Sequence, residues 1–535
     1  MNKLNTQKIL YSLVCIMSVI IPYLLLGPME IYVGNILAFK FSWLDFFIPS
    51  LFIAITVSCL LALILSFIND NVFYFIHKCF TVIAFLSYIQ VMFMNIKLME
   101  DDGNHMDFSS IGKFYHINLV IWIVVVVAFF YASIKVNKEL FHKVCLYLCA
   151  FLCLVQLAGL VSLLITTDTD PNKRSYQFSG ENQFALSDDE NILVLVLDAY
   201  SNRFFDYACE NDSTFSAPLQ DFTYYTNADS VYIPTFPSLA HMLTGGEFYF
   251  ADSTDVWFKD VWHTDKANSF YDTVHDKGYS FNLYTCDTHN VIGLYEDVEG
   301  KLDNAVRTEV SVYKPGLLKL LYKMSAYRYV PYVMKPYLEV LTPEFAKLLT
   351  YAHKEVLFDN YEYADGLKSG GFYVDATYGN NISITHIEGL HNITSIDESM
   401  PVQNEVMAII KDYLNSIKAT GKYDDTTIII TADHGKYDFA EYQPIFFVKK
   451  KNETHSTLER NTAPISHDDF MATILSLIDA DSSSYGMSIF DISEDEKRTR
   501  TISFVSESNR EITSYEYTGD IDALIDEMNR VQYGE

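Results

Sequence analysis

The stretch that decides the fold is NILVLVLD, at residues 191–198. Positions 192–197 form an unbroken run of isoleucine, leucine and valine, without alternation between polar and apolar residues. Such a run is typical of a strand that is buried on both faces of a parallel β-sheet. The run ends in Asp198, and open α/β sheets place their functional sites at the carboxyl ends of their strands. We therefore predict a buried strand that carries Asp198 into a candidate site.

Two later runs have the same character. Thr427–Ile430 is followed by TADHG, which contains Asp433 and His434, and Asn381–Thr385 is followed by His386. Three buried strands are thus expected to deliver carboxylate or imidazole side chains at their carboxyl ends.

Helical patterns alternate with these strands, most clearly at Ala267–His275 and Val402–Ile417. This alternation predicts an α/β sandwich. In residues 309–372 the apolar and aromatic positions suggest helices that Pro331, Pro336 and Pro343 interrupt.

The first third of the chain is apolar in long blocks, each sufficient to cross roughly 30 Å of hydrocarbon as a helix. Soluble helices rarely continue as Ile121–Phe130 does with so few charges nearby, which disfavours the alternative of a large soluble core. The first block lacks a small-residue cleavage site and is kept as an anchor. The sequence predicts a five-helix transmembrane domain at 1–166, a polar linker at 167–190 and an outer domain at 191–535. The five blocks are residues 9–26, 46–68, 72–96, 116–134 and 144–166.

The short loops between these blocks set the orientation, because Lys and Arg prefer the cytoplasmic side. With five spans, this rule places everything after Ile165 on the extracytoplasmic side. Basic residues lie before the first helix (Lys3, Lys8), near the second loop (Lys78) and in the fourth loop (Lys135, Lys138, Lys143). Acidic residues lie in the first loop (Glu30) and the third loop (Glu100, Asp101, Asp102).

Charge divides the chain in the same place. Residues 1–166 hold 9 of the 38 Lys and Arg and 8 of the 68 Asp and Glu, which leaves 29 basic against 60 acidic residues in the remainder. So acidic a domain is a poor nucleic-acid binder. Six of the eight cysteines lie in or beside the spans, and a disulfide between the other two, Cys209 and Cys286, is left open by their spacing.

Thr235 is the candidate nucleophile. It lies in YIPTFPSL, residues 232–239, before a helix that ends at Gly245. Pro237 suits the first helical turn, so Thr235 is expected near the amino-terminal end, where free N–H groups favour a developing alkoxide or a phosphoryl oxygen. The alternative is that Thr235 only caps the helix.

Asp198, Asp433, His434 and the Thr235 oxygen together make an O/N ligand set for one divalent metal ion. Alone, the Asp-His-Gly sequence at 433–435 is equally consistent with a turn, but the shared position at strand ends argues for metal. A bound ion would lower the pKa of the threonine hydroxyl and offset charge on a phosphoryl group.

Three further histidines are candidates for substrate binding. His386 and His391 flank the loop HIEGLH, and His467 lies in Ser-His-Asp before the helical stretch Phe470–Ile478. Each alone is equally consistent with a surface or hydrogen-bonded histidine. Near a metal, an imidazole binds phosphoryl oxygens or protonates a leaving alkoxide.

With these motifs the chain resembles the membrane-anchored phosphotransferases of the alkaline phosphatase superfamily, which include phosphoethanolamine transferases and lipoteichoic acid (phosphoglycerol) synthases. The resemblance implies Thr235 as nucleophile and metal ligand, with Asp198, Asp433 and His434 as the other ligands. It also implies that His391 and His467 face the substrate phosphate and that His386 supports its loop. Asp198 departs from the glutamate common in those enzymes, and the C/S-x-P-x-R motif of sulfatases is absent.

The resemblance further implies a function: transfer of a phospholipid headgroup, phosphoethanolamine or phosphoglycerol, to an envelope glycan or glycolipid through a phosphothreonine intermediate. It implies Zn²⁺ or Mn²⁺ as cofactor, a lipid bilayer as partner and a bacterial plasma membrane as location. Two alternatives stay open, a phosphoester hydrolase that transfers the group to water and a non-catalytic relative that binds or senses lipids.

Overall fold

The computed structural model describes residues 6–36, 39, 41–95, 112–167, 176–286, 291–307, 310–393, 395–436 and 442–519. Its contacts divide the chain into two compact units. The first, here the helical unit, comprises Met1–Pro171 and Glu309–Ala352, and the second, here the sheet unit, comprises Asn172–Thr308 and His353–Glu535. The sequence assigns all of 191–535 to one outer domain, whereas the contacts group 309–352 with the apolar helices.

Within the described residues, the helical unit contains five helices that are long and apolar enough to cross a membrane, as predicted. Large apolar side chains are widely exposed along them, among them Phe52 and Ile134, which suits helices that face lipid. Asn69 and Asn137 cap two of the helices by accepting hydrogen bonds from backbone N–H groups. The helices cover Thr6–Gly34, with a π-helical turn at Pro22–Leu26, Trp43–Ser66, Asp70–Met94, with a π-helical turn at Gln90–Met94, Lys113–Lys135 and Lys138–Thr166.

Helices form in the segment that contains Pro331, Pro336 and Pro343, and they belong to this helical unit. Pro331 separates the first two as predicted, but Pro336 lies inside the 3₁₀ helix and Pro343 lies in the first turn of the last helix. Arg328 Nη1 lies 2.8 Å from Glu30 Oε2, and Asn118 Oδ1 accepts a 3.0 Å hydrogen bond from the Tyr332 backbone N–H. These contacts fix the segment to the long helices. Its elements are the helices Lys314–Tyr329 and Thr342–Ala346, the 3₁₀ helix Tyr332–Tyr337 and the antiparallel strands Val310–Val312 and Leu349–Tyr351.

The sheet unit is built on a seven-stranded sheet. The strand Asn191–Leu197 pairs in parallel with Thr426–Thr431 on one side and Asn380–Ile387 on the other. The three strands inferred from the sequence are therefore immediate neighbours with their carboxyl ends at one edge. The full order is Glu459–Asn461, Thr223–Tyr225, Phe446–Lys449, Thr426–Thr431, Asn191–Leu197, Asn380–Ile387 and Tyr279–Tyr284.

Burial on both faces explains the unbroken apolar run of the first strand. Ile192, Val194 and Val196 belong to one hydrophobic cluster, and Leu193, Leu195 and Leu197 belong to another. Each cluster is covered by helices, so the expected α/β sandwich is confirmed. The helices of the sheet unit are Asn202–Asn211, Thr235–Thr244, Thr254–Trp262, Asp265–Asp276, Tyr295–Val298, Asn360–Ser369, Met400–Ala419 and Phe470–Leu477, with 3₁₀ turns at Ala217–Leu219, His467–Asp469 and Ile489–Asp491.

Short strands complete the sheet unit, and two of them lie inside the predicted linker. Tyr176–Phe178 pairs with Ala305–Arg307, and Ala185–Ser187 pairs with Tyr373–Asp375. The structure forms no disulfide between Cys209 and Cys286, both of which it describes. The remaining strands are Ala228–Asp229 with Ile465–Ser466, and Tyr232–Ile233 with the hairpin Thr499–Ser506 and Glu511–Thr518.

Candidate functional site

The side chains predicted for the site meet at the carboxyl edge of the three parallel strands. The Asp198 backbone N–H donates to the Ile387 carbonyl oxygen (3.0 Å), and the Leu390 N–H donates to the Asp198 carbonyl oxygen (2.9 Å). The loop after the Asn380–Ile387 strand is thereby fastened to Asp198. The Ser238 hydroxyl in turn donates to the Asp433 carbonyl oxygen, which joins the Thr235–Thr244 helix to the third strand end.

Asp198, Asp433 and His434 form a buried cluster suited to a metal ion. Their candidate ligand atoms lie within 4.8 Å of one another. His434 Nε2 is 3.9 Å from Asp198 Oδ1 and 3.4 Å from Asp433 Oδ2. This set of two carboxylates and one imidazole is a known donor type for divalent cations.

Two oxygen atoms of this cluster show that the residues fit a cation. Asp433 Oδ1 accepts hydrogen bonds from the backbone N–H groups of Ala199 (3.0 Å) and His434 (2.8 Å). Asp433 Oδ2 and Asp198 Oδ1 are buried and have no hydrogen-bond partner within the part of the chain that the structure describes. An unpartnered buried carboxylate oxygen is costly unless a cation compensates it.

The ring of His434 turns its Nε2, the nitrogen that keeps a lone pair for a metal ion, toward the two carboxylates. Its Nδ1 lies 2.6 Å from the Gly435 carbonyl oxygen. A carbonyl only accepts, so Nδ1 carries the hydrogen and Nε2 keeps its lone pair. A backbone oxygen that fixes the tautomer is the usual support of a metal-binding histidine.

Thr235 is the first residue of its helix, and its hydroxyl faces the cluster. Pro234 is the capping residue, and Thr235 Oγ1 lies 3.3 Å from His434 Nε2. Pro234, and not Thr235, thus occupies the capping position, and no side-chain capping hydrogen bond is formed there. The helix amino terminus supplies unpaired N–H groups and a positive dipole end at the same point.

His386 and His391 border the cluster from the loop that follows the second strand. His386 is buried, its Nδ1 contacts Thr285 Oγ1 (2.9 Å), and its Nε2 lies 4.0 Å from Oδ2 of Asp198 and of Asp433. His391 is 59% exposed, and its Nδ1 contacts Asp198 Oδ2 at 3.0 Å. His386 thus faces the carboxylates, and the His391 ring is open to solvent.

Electrostatics couple His391 to Asp198. The hydrogen bond with the Asp198 carboxylate raises the pKa of the His391 imidazole. Burial pushes the pKa of Asp198 upward, but the His391 hydrogen bond and the imidazoles of His386 and His434 lower it overall. Asp198 is therefore expected to be ionised, as a metal ligand must be.

His467 differs from the other histidines because it is almost completely buried. Burial lowers the pKa of its imidazole to about 3, and the nearby His241 adds to this effect. The ring is therefore neutral at physiological pH, so it offers an N–H donor without a charge.

The sequence did not identify His241, Asp468 or Lys436 as parts of the site. His241, on the same helix as Thr235, contacts Asp468 Oδ1 through Nε2 and the Gly246 carbonyl oxygen through Nδ1, both at 2.9 Å. Buried Lys436 donates from Nζ to the His391 carbonyl oxygen (2.6 Å). These side chains position the Thr235 helix and the His391 loop. The signal available beforehand was proximity in sequence, since each lies within six residues of a predicted site residue.

Gly389 provides a test of the loop geometry. Its φ is +56°, and a Cβ added there meets the backbone N and O of Asp198 at 2.6 and 2.7 Å. We expect Gly389→Ala to destabilise the protein by on the order of 2–4 kcal/mol, from the positive φ plus the displaced backbone. Thermal unfolding measures this loss.

The matched control is Gly421→Ala, because Gly421 also has a positive φ, +78°, but open space around its Cβ position. It should lose only about 1 kcal/mol. Equal losses in the two variants would show that the contact between Gly389 and Asp198 has no importance for the fold.

A second prediction concerns pH and His467. An unfolded histidine binds a proton near pH 6.5, whereas the buried ring does so only near pH 3. As pH falls through this interval the unfolded state takes up a proton that the folded state does not, so stability is lost, by about 2 kcal/mol between pH 6.5 and 5. In His467→Gln, the thermal midpoint should therefore fall less than in the wild type between roughly pH 7.5 and pH 5. Identical falls would mean that His467 is not held neutral.

Comparisons with known proteins add little at the level of sequence. No family model matches the chain, and no curated protein matches it. Solved structures with a similar fold include a phosphonate monoester hydrolase from Silicibacter pomeroyi, with a TM-score of 0.34 and 14% identity over 60% of this chain and 80% of that one. A protein in the alkaline phosphatase superfamily from Vibrio parahaemolyticus matches with a TM-score of 0.37 and 12% identity over 66% of this chain and 86% of that one. Ps i-CgsB in complex with k-i-k-neocarrahexaose matches with a TM-score of 0.39 and 12% identity over 62% of this chain and 82% of that one. These TM-scores lie below 0.5, so the likenesses support no conclusion about activity or substrate.

Proposed function

We propose that this chain is a membrane-bound, metal-dependent phosphotransferase that moves a phospholipid headgroup, phosphoethanolamine or phosphoglycerol, to a glycan or glycolipid. The observation that carries the proposal is the position of Thr235. Its hydroxyl lies at a helix amino terminus, 3.3 Å from a metal-competent histidine nitrogen and beside two buried carboxylates. A hydroxyl in this environment is suited to nucleophilic attack.

Asp198, Asp433, His434 and Thr235 are the residues that would hold the ion, either Zn²⁺ or Mn²⁺. When bound, the ion supplies a lowered pKa for the threonine hydroxyl and a positive charge that offsets the phosphoryl oxygens. The neutral N–H donor of His467 and the free N–H groups of the Thr235 helix are the chain's own contacts for those oxygens.

In the first step, Thr235 Oγ attacks the phosphorus of the phospholipid. A bond forms between Oγ and phosphorus, and the bond from phosphorus to the oxygen of the lipid alcohol breaks. The Thr235 proton leaves, and the lipid alcohol takes up a proton as it departs. We assign the holding and return of that proton to His391, which is exposed and hydrogen-bonded to Asp198.

In the second step, a hydroxyl of the acceptor attacks the phosphothreonine. The bond from phosphorus to Thr235 Oγ breaks, the acceptor receives the headgroup, and Thr235 regains a proton. If water attacked in place of the acceptor, the same site would act as a hydrolase. A transferase and a hydrolase therefore share the first step and differ only in the second.

The five apolar helices would anchor the enzyme in the membrane that contains its lipid donor. A site on the same chain as these spans stays close to lipid donors that never leave the bilayer, which raises their effective concentration. We place the enzyme in a bacterial plasma membrane, with the site on the extracytoplasmic side where envelope glycans lie.

Product analysis tests the proposal. The full chain is reconstituted with divalent metal in liposomes that contain phospholipid labelled in the headgroup, and a glycolipid acceptor is added. Label on the acceptor supports transfer, whereas label only in free headgroup phosphate identifies a hydrolase. Lipid binding without release of the lipid alcohol would contradict catalysis and favour the lipid-binding alternative.

A further inference from the structure

A cavity of about 120 Å³ lies beside the Thr235 helix and is not used in the chemistry above. Its walls are mainly aromatic, and its lining also includes a carboxylate, a guanidinium and two hydroxyl groups. The lining residues that bear on its chemistry are Phe236, Tyr249, Phe250, Trp257, Glu507 and Arg510.

Two features of the lining place this cavity near the segment that carries Thr235. Phe236 follows Thr235 directly in the chain. The strand Tyr232–Ile233, which leads into Thr235, pairs in parallel with Thr499–Ser506, and the turn after that strand carries Glu507 and Arg510. The cavity is therefore lined by the residue that follows Thr235 and by the turn after the strand that pairs with Tyr232–Ile233.

The walls are held in place without a ligand. Phe236 packs edge-on against Trp257, with ring centroids 5.9 Å apart, and the Trp257 indole N–H donates to the Glu247 carbonyl oxygen (3.0 Å). Arg510 Nη2 donates to the Ala251 carbonyl oxygen (2.8 Å). A preformed pocket with fixed aromatic rings loses little conformational entropy when it binds a ligand.

The chemistry of the walls selects among ligands. Aromatic faces pack against the C–H faces of a sugar ring, and the carboxylate, guanidinium and hydroxyl groups at the rim match its hydroxyls. An acyl chain requires a longer and wholly apolar channel. An ammonium headgroup is disfavoured because the Arg510 guanidinium already lies over the Phe250 ring, 5.2 Å from its centroid.

We infer that this cavity is the acceptor subsite and that it binds a pyranose ring of the glycan whose hydroxyl attacks the phosphothreonine. The inference rests on the proposed function and adds the place where the acceptor binds and the part of the acceptor, a pyranose ring, that the cavity holds.

Tyr249→Ala tests the subsite, because Tyr249 is 42% exposed and its loss leaves the core intact. The full chain in liposomes with labelled phospholipid and metal is given cellobiose as acceptor. We expect the variant to release the lipid alcohol and form the Thr235 adduct as the wild type does, while transfer to cellobiose falls about tenfold through a higher KM for the sugar. Glu507→Gln should act in the same direction.

The matched control is Tyr373→Ala, a tyrosine of similar exposure, 46%, on the strand Tyr373–Asp375 of the sheet unit. It should transfer like the wild type. Glycerol, which has hydroxyls but no ring, should be a poor acceptor for every form. Wild-type transfer by Tyr249→Ala and Glu507→Gln, or equal use of glycerol and cellobiose, would overturn the subsite.

Failure of the proposed function has a different signature. If the wild type forms no Thr235 adduct, the proposed chemistry is wrong, and saturation-transfer NMR with cellobiose on the full chain then tests the cavity directly. Sugar signals that Tyr249→Ala weakens and Tyr373→Ala preserves would retain the subsite. Their absence in the wild type would remove it.

Discussion

Thr235→Ala is expected to lower kcat by at least about 10³-fold, because the variant has no atom to form the bond to phosphorus. The fold should not change, since the Thr235 side chain is at the start of its helix and its described hydrogen bond is to His434. Release of lipid alcohol from labelled phospholipid is the measurement, with thermal unfolding as the check on folding.

Two variants sharpen this result. Thr235→Ser keeps a hydroxyl at the same position and should retain measurable turnover. Thr377→Ala removes an exposed threonine hydroxyl whose partner is Asp375 and should behave as the wild type. Turnover by Thr235→Ala equal to that of the wild type would end the proposal that Thr235 is the nucleophile.

Asp433→Asn is expected to abolish stoichiometric metal binding and to reduce turnover to the level of metal-free protein. An asparagine oxygen can still accept the two backbone hydrogen bonds made to Oδ1, whereas the amide nitrogen that replaces Oδ2 cannot ligate a cation. The substitution therefore removes the ligand and keeps the local fold. Metal content of the purified protein, measured by mass spectrometry, gives the result.

Stability provides an independent readout of the same site. A metal that binds only the folded state stabilises it by about 4 kcal/mol at 1,000 times its Kd. Added metal should raise the unfolding temperature of the wild type and of Asp425→Asn, which alters an exposed carboxylate, but not that of Asp433→Asn. One tightly bound equivalent of metal in Asp433→Asn would show that the cluster is not the metal centre.

The central sheet was predictable because its strands carry a strong local signal. Residues 192–197 are apolar at every position, and the structure places alternate side chains in two separate cores. A strand with both faces buried cannot alternate polar and apolar residues. The positions of Asp198, Asp433 and His386 at strand ends followed from the same pattern.

The place of residues 309–352 was not predictable in this way. The Lys314–Tyr329 helix has almost no amphipathic periodicity, so its sequence does not show which of its faces is buried or which surface covers it. Its partners in the helical unit are remote in sequence, as with Arg328 and Glu30. The strand Tyr176–Phe178 is similar, since its partner Ala305–Arg307 lies more than 100 residues later and three residues carry little periodic signal.

At Thr235 the start of the helix was predictable from the local sequence, but the surroundings of the side chain were not. The proline-flanked sequence around it predicts a helix start, and both a cap and a nucleophile fit that position. The direction of the hydroxyl depends on tertiary contacts such as that with His434, 199 residues away, which the local sequence does not contain. His241 and Asp468 were missed for the same reason, since their pairing joins two segments that are 227 residues apart.

The most direct test is mass spectrometry of the peptide that contains Thr235, after the metal-loaded protein has been exposed to mixed phospholipids without acceptor. The account predicts an adduct on Thr235 whose added mass equals that of phosphoethanolamine or phosphoglycerol less one water, and this mass identifies the transferred group. An unmodified Thr235 peptide from protein that binds metal and releases lipid alcohol would contradict the phosphothreonine intermediate.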